Sequence, residues 1–317
     1  MSLGTRELKR RIKSVGNTHK ITKAMEMVSA AKMRKAVENV LATRDYANLA
    51  WTTILHLSEK TDTVHHPLLQ KRTVTNVALI VISSNRGLCG GFNNAVVQKA
   101  MNSIRKHEKN IKKTDIITLG TRARDLLLNE DQTVTADFIK QDVTTSAAEV
   151  SSMVHMIIKD YTEKKYDKVM VAYTDYVSAV KQQARVKQLL PIDPNPEEYL
   201  GIVGKSAGIE MTKEFISEKK EKYLKKGDMN FEYIFEPNPR AVLEKLMPRL
   251  LEVQIYQAVL ESDASEHSAR MMSMRNASDA ATDMIDGLTL VFNQARQSAI
   301  TQEIAEISSG KAALENK

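Results

Sequence analysis

Fifty consecutive residues without glycine or proline separate Gly16 from Pro67, and between Pro248 and Gly310 only Gly287 interrupts. Glycine and proline are the strongest local punctuation of a chain. Typical helices run about 11 to 12 residues, whereas residues 5–59 as one helix extend roughly 80 Å. Both ends of the chain therefore read as long rods.

An alternating four-and-three template along the C-terminal rod catches Leu246, Leu250, Val253, Gln257, Leu260, Ala264, His267, Met271, Met274, Ser278, Ala281, Ile285, Leu288, Phe292, Ala295, Ala299 and Gln302. Thirteen of these seventeen are apolar. A repeat sustained this long is the seam of a left-handed coiled coil. Near the N-terminus the template catches Leu8, Ile12 and Val15 and fails at His19, Thr22, Glu26 and Ser29. It resumes at Met33, Ala36, Val40, Thr43, Ala47, Ala50, Ile54 and Leu57. Within the gap the apolar residues are Ile21, Met25 and Val28, a phase shift expected to alter the local winding and turn the stripe away from the partner helix.

Two terminal helices pair antiparallel when the segment between them folds as its own unit. With Leu57 facing Leu246, Ile12 falls opposite Phe292 and Leu8 opposite Ala295, so paired numbers sum to 303 or 304 and Met25 lies level with Ser278. Residues beyond about 296 then overhang, where the apolar stripe moves to Ile300, Ile304 and Ile307.

The middle of the chain has another period. Thr75–Ser84 is a continuous apolar run, as in a strand buried on both faces. Further strands are expected at 115–120, 134–139, 168–176 and 184–190, with helices at 95–110 and 145–162. The reading is an α/β fold: a long antiparallel coiled coil of the N- and C-terminal helices plus a Rossmann-like α/β sandwich domain. The expected parts are a coiled-coil helix at 1–67, the α/β domain at 73–240 with a loop-rich excursion at 192–238, and a second coiled-coil helix at 241–317.

Candidate chemistry is sparse. Ser83–Asn94, SSNRGLCGGFNN, sits between a strand and a helix, where phosphate cradles occur. It lacks the GxGxxG spacing and the Gly-Lys-Ser/Thr ending, so a tight structural turn is favoured over a nucleotide site. Cys89 has no second thiol or paired histidine beside it and reads as inert. His65-His66 lacks a third ligand at metal spacing. No carboxylate pair or Ser/His/Asp set stands out, so no catalytic, cofactor or metal site is assigned. Lone Cys89 excludes an internal disulfide, and the start MSLGTRELKRRI lacks a secretory signal pattern, so a cytoplasmic setting is expected. No run approaches the roughly 18 apolar residues of a membrane span.

The net charge of +7 is unevenly placed: residues 1–44 carry +8, and residues from 241 onward carry −4. The basic end has no aromatic residue for base stacking, so a nucleic-acid role is not favoured. A solvated face, or a helix beside acidic protein surfaces, remains open.

Three blocks go further: KSVGNTHKITKAMEMVSAAKMRKA (13–36), NRGLCGGFNN (85–94) and RMMSMRNASDAATDMIDGLTLVFNQARQSAITQEIAEISSG (270–310). They closely resemble the gamma subunits of F-type ATP synthases. The resemblance implies a non-catalytic central rotor shaft, coupling proton-driven rotation of a membrane ring to ATP synthesis or hydrolysis at alpha/beta sites. Implied partners are three alpha and three beta subunits, the epsilon subunit and the membrane rotor ring. The implied location is peripheral, on the cytoplasmic face of a bacterial inner membrane. The resemblance also implies rotor–stator coupling roles for Lys23, Met25, Arg270, Arg296, Gln297, Thr301 and Glu303, and an apical bearing of Ile300, Ile304 and Ile307. Asn85 and Lys311 depart from the usual blocks, and 192–230 is longer than expected. A Rossmann-type nucleotide-binding enzyme and a self-associating coiled-coil scaffold are the other classes.

Overall fold

A computed structural model describes residues 4–60, 66–107, 111–192, 236 and 238–315, without the side chains of 44–60, 106–107, 239 and 310–315. The side chains of the seam positions from Ala47 to Leu57 are among those left out, and His65 and almost all of the 192–238 excursion lie outside the described residues. The chain divides into two compact units, Ser29–Arg270 and Met1–Val28 with Met271–Lys317. Helix α1 is Thr5–Lys60. The last helix, α5, is Pro239–Glu315.

In the larger unit the continuous apolar run becomes β1 (Asn76–Ile82), the centre of a five-stranded sheet. The chain continues through α2 (Phe92–His107), β2 (Lys113–Leu119), α3 (Thr121–Asn129), β3 (Val134–Phe138), α4 (Ala148–Thr162), β4 (Lys168–Tyr176) and β5 (Gln182–Leu190). The strand order is β3-β2-β1-β4-β5. β1 pairs parallel with β2 and β4, β2 pairs parallel with β3, and β5 runs antiparallel to β4.

The run in β1 has no alternation because both of its faces are covered. Ala78, Ile80 and Ile82 join one core with α4 and the 243–260 stretch of α5. Val77, Leu79 and Val81 join a second core with α2 and α3. Each of these valine, leucine and isoleucine side chains, fully buried, is worth about 1.5–3 kcal/mol. Helix α3 was missing from the sequence reading. It is nine residues long and buries only Ala123 and Leu127, too little for a periodic signal. It starts after Gly120, whose φ is +105° and where a Cβ would sit 2.4 Å from the Ser83 carbonyl oxygen, so glycine is required there.

α5 begins as an Asn-Pro start should: Asn238 Oδ1 accepts the Ala241 N–H at 2.9 Å, and Pro239 opens the helix. Its burial changes along its length. From Val253 to Ser268 every residue is buried; from Met271 to Ala281 only one stripe is; from 296 to 309 all are exposed.

The smaller unit is an antiparallel helix pair. Thr22 and Ser278 hydroxyls hydrogen-bond at 2.7 Å, and Arg275 Nε lies 3.1 Å from Glu26 Oε1. These pairs sum to 300 and 301 rather than 303 or 304, a shift of about one helical turn from the seam arithmetic. The physical reason is visible in the gap. Burial follows the four-and-three template straight through Thr22, Glu26 and Ser29, so the winding does not shift phase. The seam turns polar instead, and its hydrogen bonds and ion pair set the register, as buried polar residues do in coiled coils. Ile21 and Val28 face outward, 61% and 55% exposed.

Candidate functional site

Two groups of residues carry function-like features, one in each unit, and each is built by its helix.

In the smaller unit, α5 at 285–295 keeps a half-buried stripe of Ile285, Leu288, Phe292 and Ala295, and the stripe ends there. Arg296, Gln297, Thr301 and Glu303 are exposed beyond it, as are Ile300, Ile304 and Ile307. The expected overhang beyond 296 is thus what the burial shows. Thr301 Oγ1 donates to the Gln297 carbonyl at 3.0 Å, and Gln302 Nε2 donates to Glu306 at 2.9 Å. Gln297 and Thr301 lie four residues apart, and Ile300 and Ile304 follow each of them by three, so polar and apolar groups adjoin on one side of the helix. On α1, Lys23 is exposed and donates to Glu26 Oε2 at 2.9 Å; Met25 is half-buried. The hydrogen bond from Lys23, with Arg275 on the second oxygen, holds the Glu26 carboxyl below its usual range against the opposing effect of burial.

Arg270 belongs elsewhere. It lies in the larger unit, is buried, and is held by groups of that unit. Its Nη1 is 2.9 Å from Glu266 Oε1, its Nε donates to Gly87 O at 3.3 Å and its Nη2 to Arg86 O at 3.2 Å. These two carbonyls belong to the glycine-rich loop between β1 and α2. A phosphate cradle aims N–H groups at its ligand; here two of the loop's carbonyls receive a guanidinium. That polarity favours the structural-turn reading of the loop. Ser84 Oγ donates to Arg86 O at 2.6 Å, and Asn93 Oδ1 accepts the Ser84 N–H at 3.0 Å. Leu88, at φ +63° and 61% exposed, projects from this tightly bonded loop. Cys89 is buried, its sulfur 3.2 Å from Asn93 Nδ2.

Around Arg270 lies a buried charge network that periodicity did not reveal. Lys140, in the loop after β3, donates its Nζ to Asp263 Oδ1 and to Glu266 Oε2, the latter at 2.6 Å. Asp263 Oδ2 also accepts the Thr144 N–H at 2.8 Å. His267 Nε2 donates to Asp142 O at 2.7 Å, leaving Nδ1 to accept from Arg270 Nη1 at 3.2 Å. Burial keeps His267 neutral by lowering its pKa. Burial alone would lower the Lys140 pKa too, but Asp263 and Glu266 reverse the effect and raise it.

A second buried set lies on β4 and α5. Asp175, Glu261, Gln257 and Tyr173 are buried together, with Arg185 Nε 2.9 Å from Asp175 Oδ2. Burial first, then the hydrogen bond and repulsion from Asp175, push the Glu261 carboxyl well above its ordinary value. The only sequence signal for either set is the density of acids in ESDASEHSAR (261–270), where a four-and-three seam leaves no inward place for them.

Among the described residues no group of three His, Cys, Asp or Glu side chains is placed to hold a metal ion. His66 Nδ1 accepts the Leu68 N–H at 3.2 Å. No described helix is long and apolar enough to cross a membrane.

One unit is an antiparallel helix pair and the other a five-stranded mixed sheet with helices on both faces, and likeness to known proteins defines the class. The family model described as ATP synthase matches residues 4–314. The ATP synthase gamma chain of Pelotomaculum thermopropionicum is 39% identical over 310 residues, covering 98% of this chain and 99% of its own length. That of Heliobacterium modesticaldum is 37% identical over 311 residues, at 98% and 99% coverage. Among solved structures, the Euglena gracilis mitochondrial ATP synthase (OSCP/F1/c-ring, rotational state 3) contains a chain matching at TM-score 0.62 and 19% identity. The match covers 98% of this chain and 94% of that one. The Tetrahymena thermophila mitochondrial ATP synthase central stalk/c-ring gives a TM-score of 0.56 at 20% identity, over 81% and 99%. These likenesses establish the fold. The chain belongs to the ATP synthase gamma chain family. Membership makes it a non-catalytic subunit of that complex.

Proposed function

We propose that the chain is the turning shaft of an F-type ATP synthase. Proton flow through a membrane ring turns it, and it drives the sites of three alpha and three beta subunits through their cycle; hydrolysis runs it in reverse. The observation that carries this reading is the last part of α5, where 296–309 expose every face, three isoleucines among them. A lone helix with bare isoleucines is poorly suited to water and well suited to an enclosing protein sleeve.

In this reading 1–67 and 241–317 form the shaft, and 73–240 the foot that meets the epsilon subunit and the ring. The site is the cytoplasmic face of a bacterial inner membrane. Ile300, Ile304 and Ile307 run in the apical bearing, and Arg296, Gln297, Thr301 and Glu303 offer hydrogen-bonding groups to the beta subunits. Lys23 and Met25 couple rotation to catalysis from α1. Arg270, on the shaft helix α5 where it runs through the larger unit, contributes by holding the glycine-rich loop.

Copurification from membranes followed by mass spectrometry tests the reading: three alpha and three beta chains per copy are expected, and a chain isolated as a self-associated oligomer would refute it. Met25→Lys is expected to leave assembly and ATP hydrolysis in place while abolishing ATP-driven proton pumping. Normal pumping would remove Met25 from the coupling set.

A further inference from the structure

The stretch 262–270 of α5 is tied on two sides to the sheet and its loops. On one side Ser262 Oγ accepts the Thr174 N–H at 3.2 Å, Ser265 Oγ donates to Thr174 O at 3.2 Å, and Ser268 Oγ donates to Ala179 O at 2.6 Å. On the other, two cations and two carboxylates interlock: Lys140 with Asp263 and Glu266, and Glu266 with Arg270. The Lys140 side chain is only 2% exposed. Its backbone carbonyl also accepts from Asn85 Nδ2, so the loop after β3 and the glycine-rich loop are fastened to one another as well as to α5. Lys32 of α1 joins the same loop through Asp142 at 2.8 Å.

Most of the remaining packing between α5 and the sheet is apolar. Apolar contact is non-directional: it opposes separation and says little about angle. A buried ion pair behaves otherwise, because rotating the helix relative to the loop strands a charge away from water and partner together. Under torque, the charges and not the oil fix the angle between helix and sheet. We propose that Lys140 is a positioning residue for torque transfer, keying the loop after β3 to α5 through Asp263 and Glu266. The inference rests on the shaft reading and deepens it, by naming the joint at which the sheet and the helix turn as one.

The test uses the whole complex in inverted membrane vesicles, measuring ATP hydrolysis and ATP-driven proton uptake on the same preparation. Unaltered complex is the first arm; absence of proton uptake there would overturn the shaft reading itself, before any variant is compared. Lys140→Met strands Asp263. It is expected to keep hydrolysis within about twofold while proton uptake per ATP falls about fivefold or more. Lys140→Met combined with Asp263→Leu removes both charges, leaves Glu266 to Arg270, and is expected to recover uptake per ATP to within about twofold. Lys140→Arg is expected to stay near the unaltered ratio. Three results overturn the proposal: an unchanged ratio in Lys140→Met, hydrolysis and uptake falling in equal proportion, or no recovery in the double variant. The second would mark a fold-wide defect rather than a slipping joint.

Discussion

Two stretches of a single helix, α5, meet opposite solvents. Val253–Ser268 is buried on every side, charges included, whereas 296–309 is exposed on every side, isoleucines included. Neither is the amphipathic surface helix that a globular protein ordinarily shows. The first has the environment of a core element, and its polar residues are largely paired because unpaired burial is costly. The second has apolar groups with no cover within the described residues, which is what the proposed enclosing sleeve would bury. One helical sequence is therefore a buried anchor at one place and, in the proposed reading, a bare bearing at another.

The sharpest way to break that contrast is to shave a side chain from each. Leu260→Ala, in the fully buried stretch, is expected to cost about 2–5 kcal/mol in chemical denaturation of the full chain. Ile304→Ala is expected to stay within about 0.5 kcal/mol in the same measurement. Equal costs would show that the exposed segment is packed within the chain itself.

One buried carboxyl in each unit responds to pH with the opposite sign. In the larger unit, Glu261 is held above its ordinary value of 4.5, chiefly by burial and then by Asp175. The folded state thus binds a proton that the unfolded chain releases above 4.5, and stability from this group falls as pH rises toward the folded value. In the helix pair, Glu26 is held below 4.5 by Lys23 and Arg275. Its contribution is present above 4.5 and is lost as pH falls through the folded value. Thermal unfolding against pH is expected to lose part of its decline above pH 4.5 in Glu261→Gln and part of its acid decline in Glu26→Gln.

A smaller effect separates the registers of the helix pair. Thr22→Ala leaves Ser278 without its hydroxyl partner and is expected to cost about 0.5–1.5 kcal/mol. Cysteines at Thr22 and Ser278 are expected to crosslink on oxidation, and cysteines at Met25 and Ser278 are not, because the hydroxyls already meet at 2.7 Å in the first pair.

Much of this architecture was legible in the sequence. Helix breakers gave the two long helices, the apolar run gave the central strand, and the pairing arithmetic with the stripe's move to Ile300, Ile304 and Ile307 gave the exposed segment. The register was not legible, because counting apolar positions overlooks a seam that turns polar at Thr22, Glu26 and Ser29 and is set by Ser278 and Arg275. The network at Lys140 was hidden for a related reason. Its partners Asp263 and Glu266 lie off the seam, on faces that periodicity assigns to water, and only the folded sheet unit supplies the loops that bury them. Arg270 was named from resemblance as a coupling residue, and the structure adds that its guanidinium is engaged within the foot.

The central claim is that the chain turns. Val180, 76% exposed in the β4–β5 turn, offers a labelling point in the foot, since the chain's lone natural thiol at Cys89 is buried. With Val180→Cys carrying a bead and the complex of three alpha and three beta subunits fixed to a surface, added ATP is expected to drive stepwise rotation in one direction. Sustained hydrolysis by that complex with a firmly attached bead that does not rotate would contradict the account.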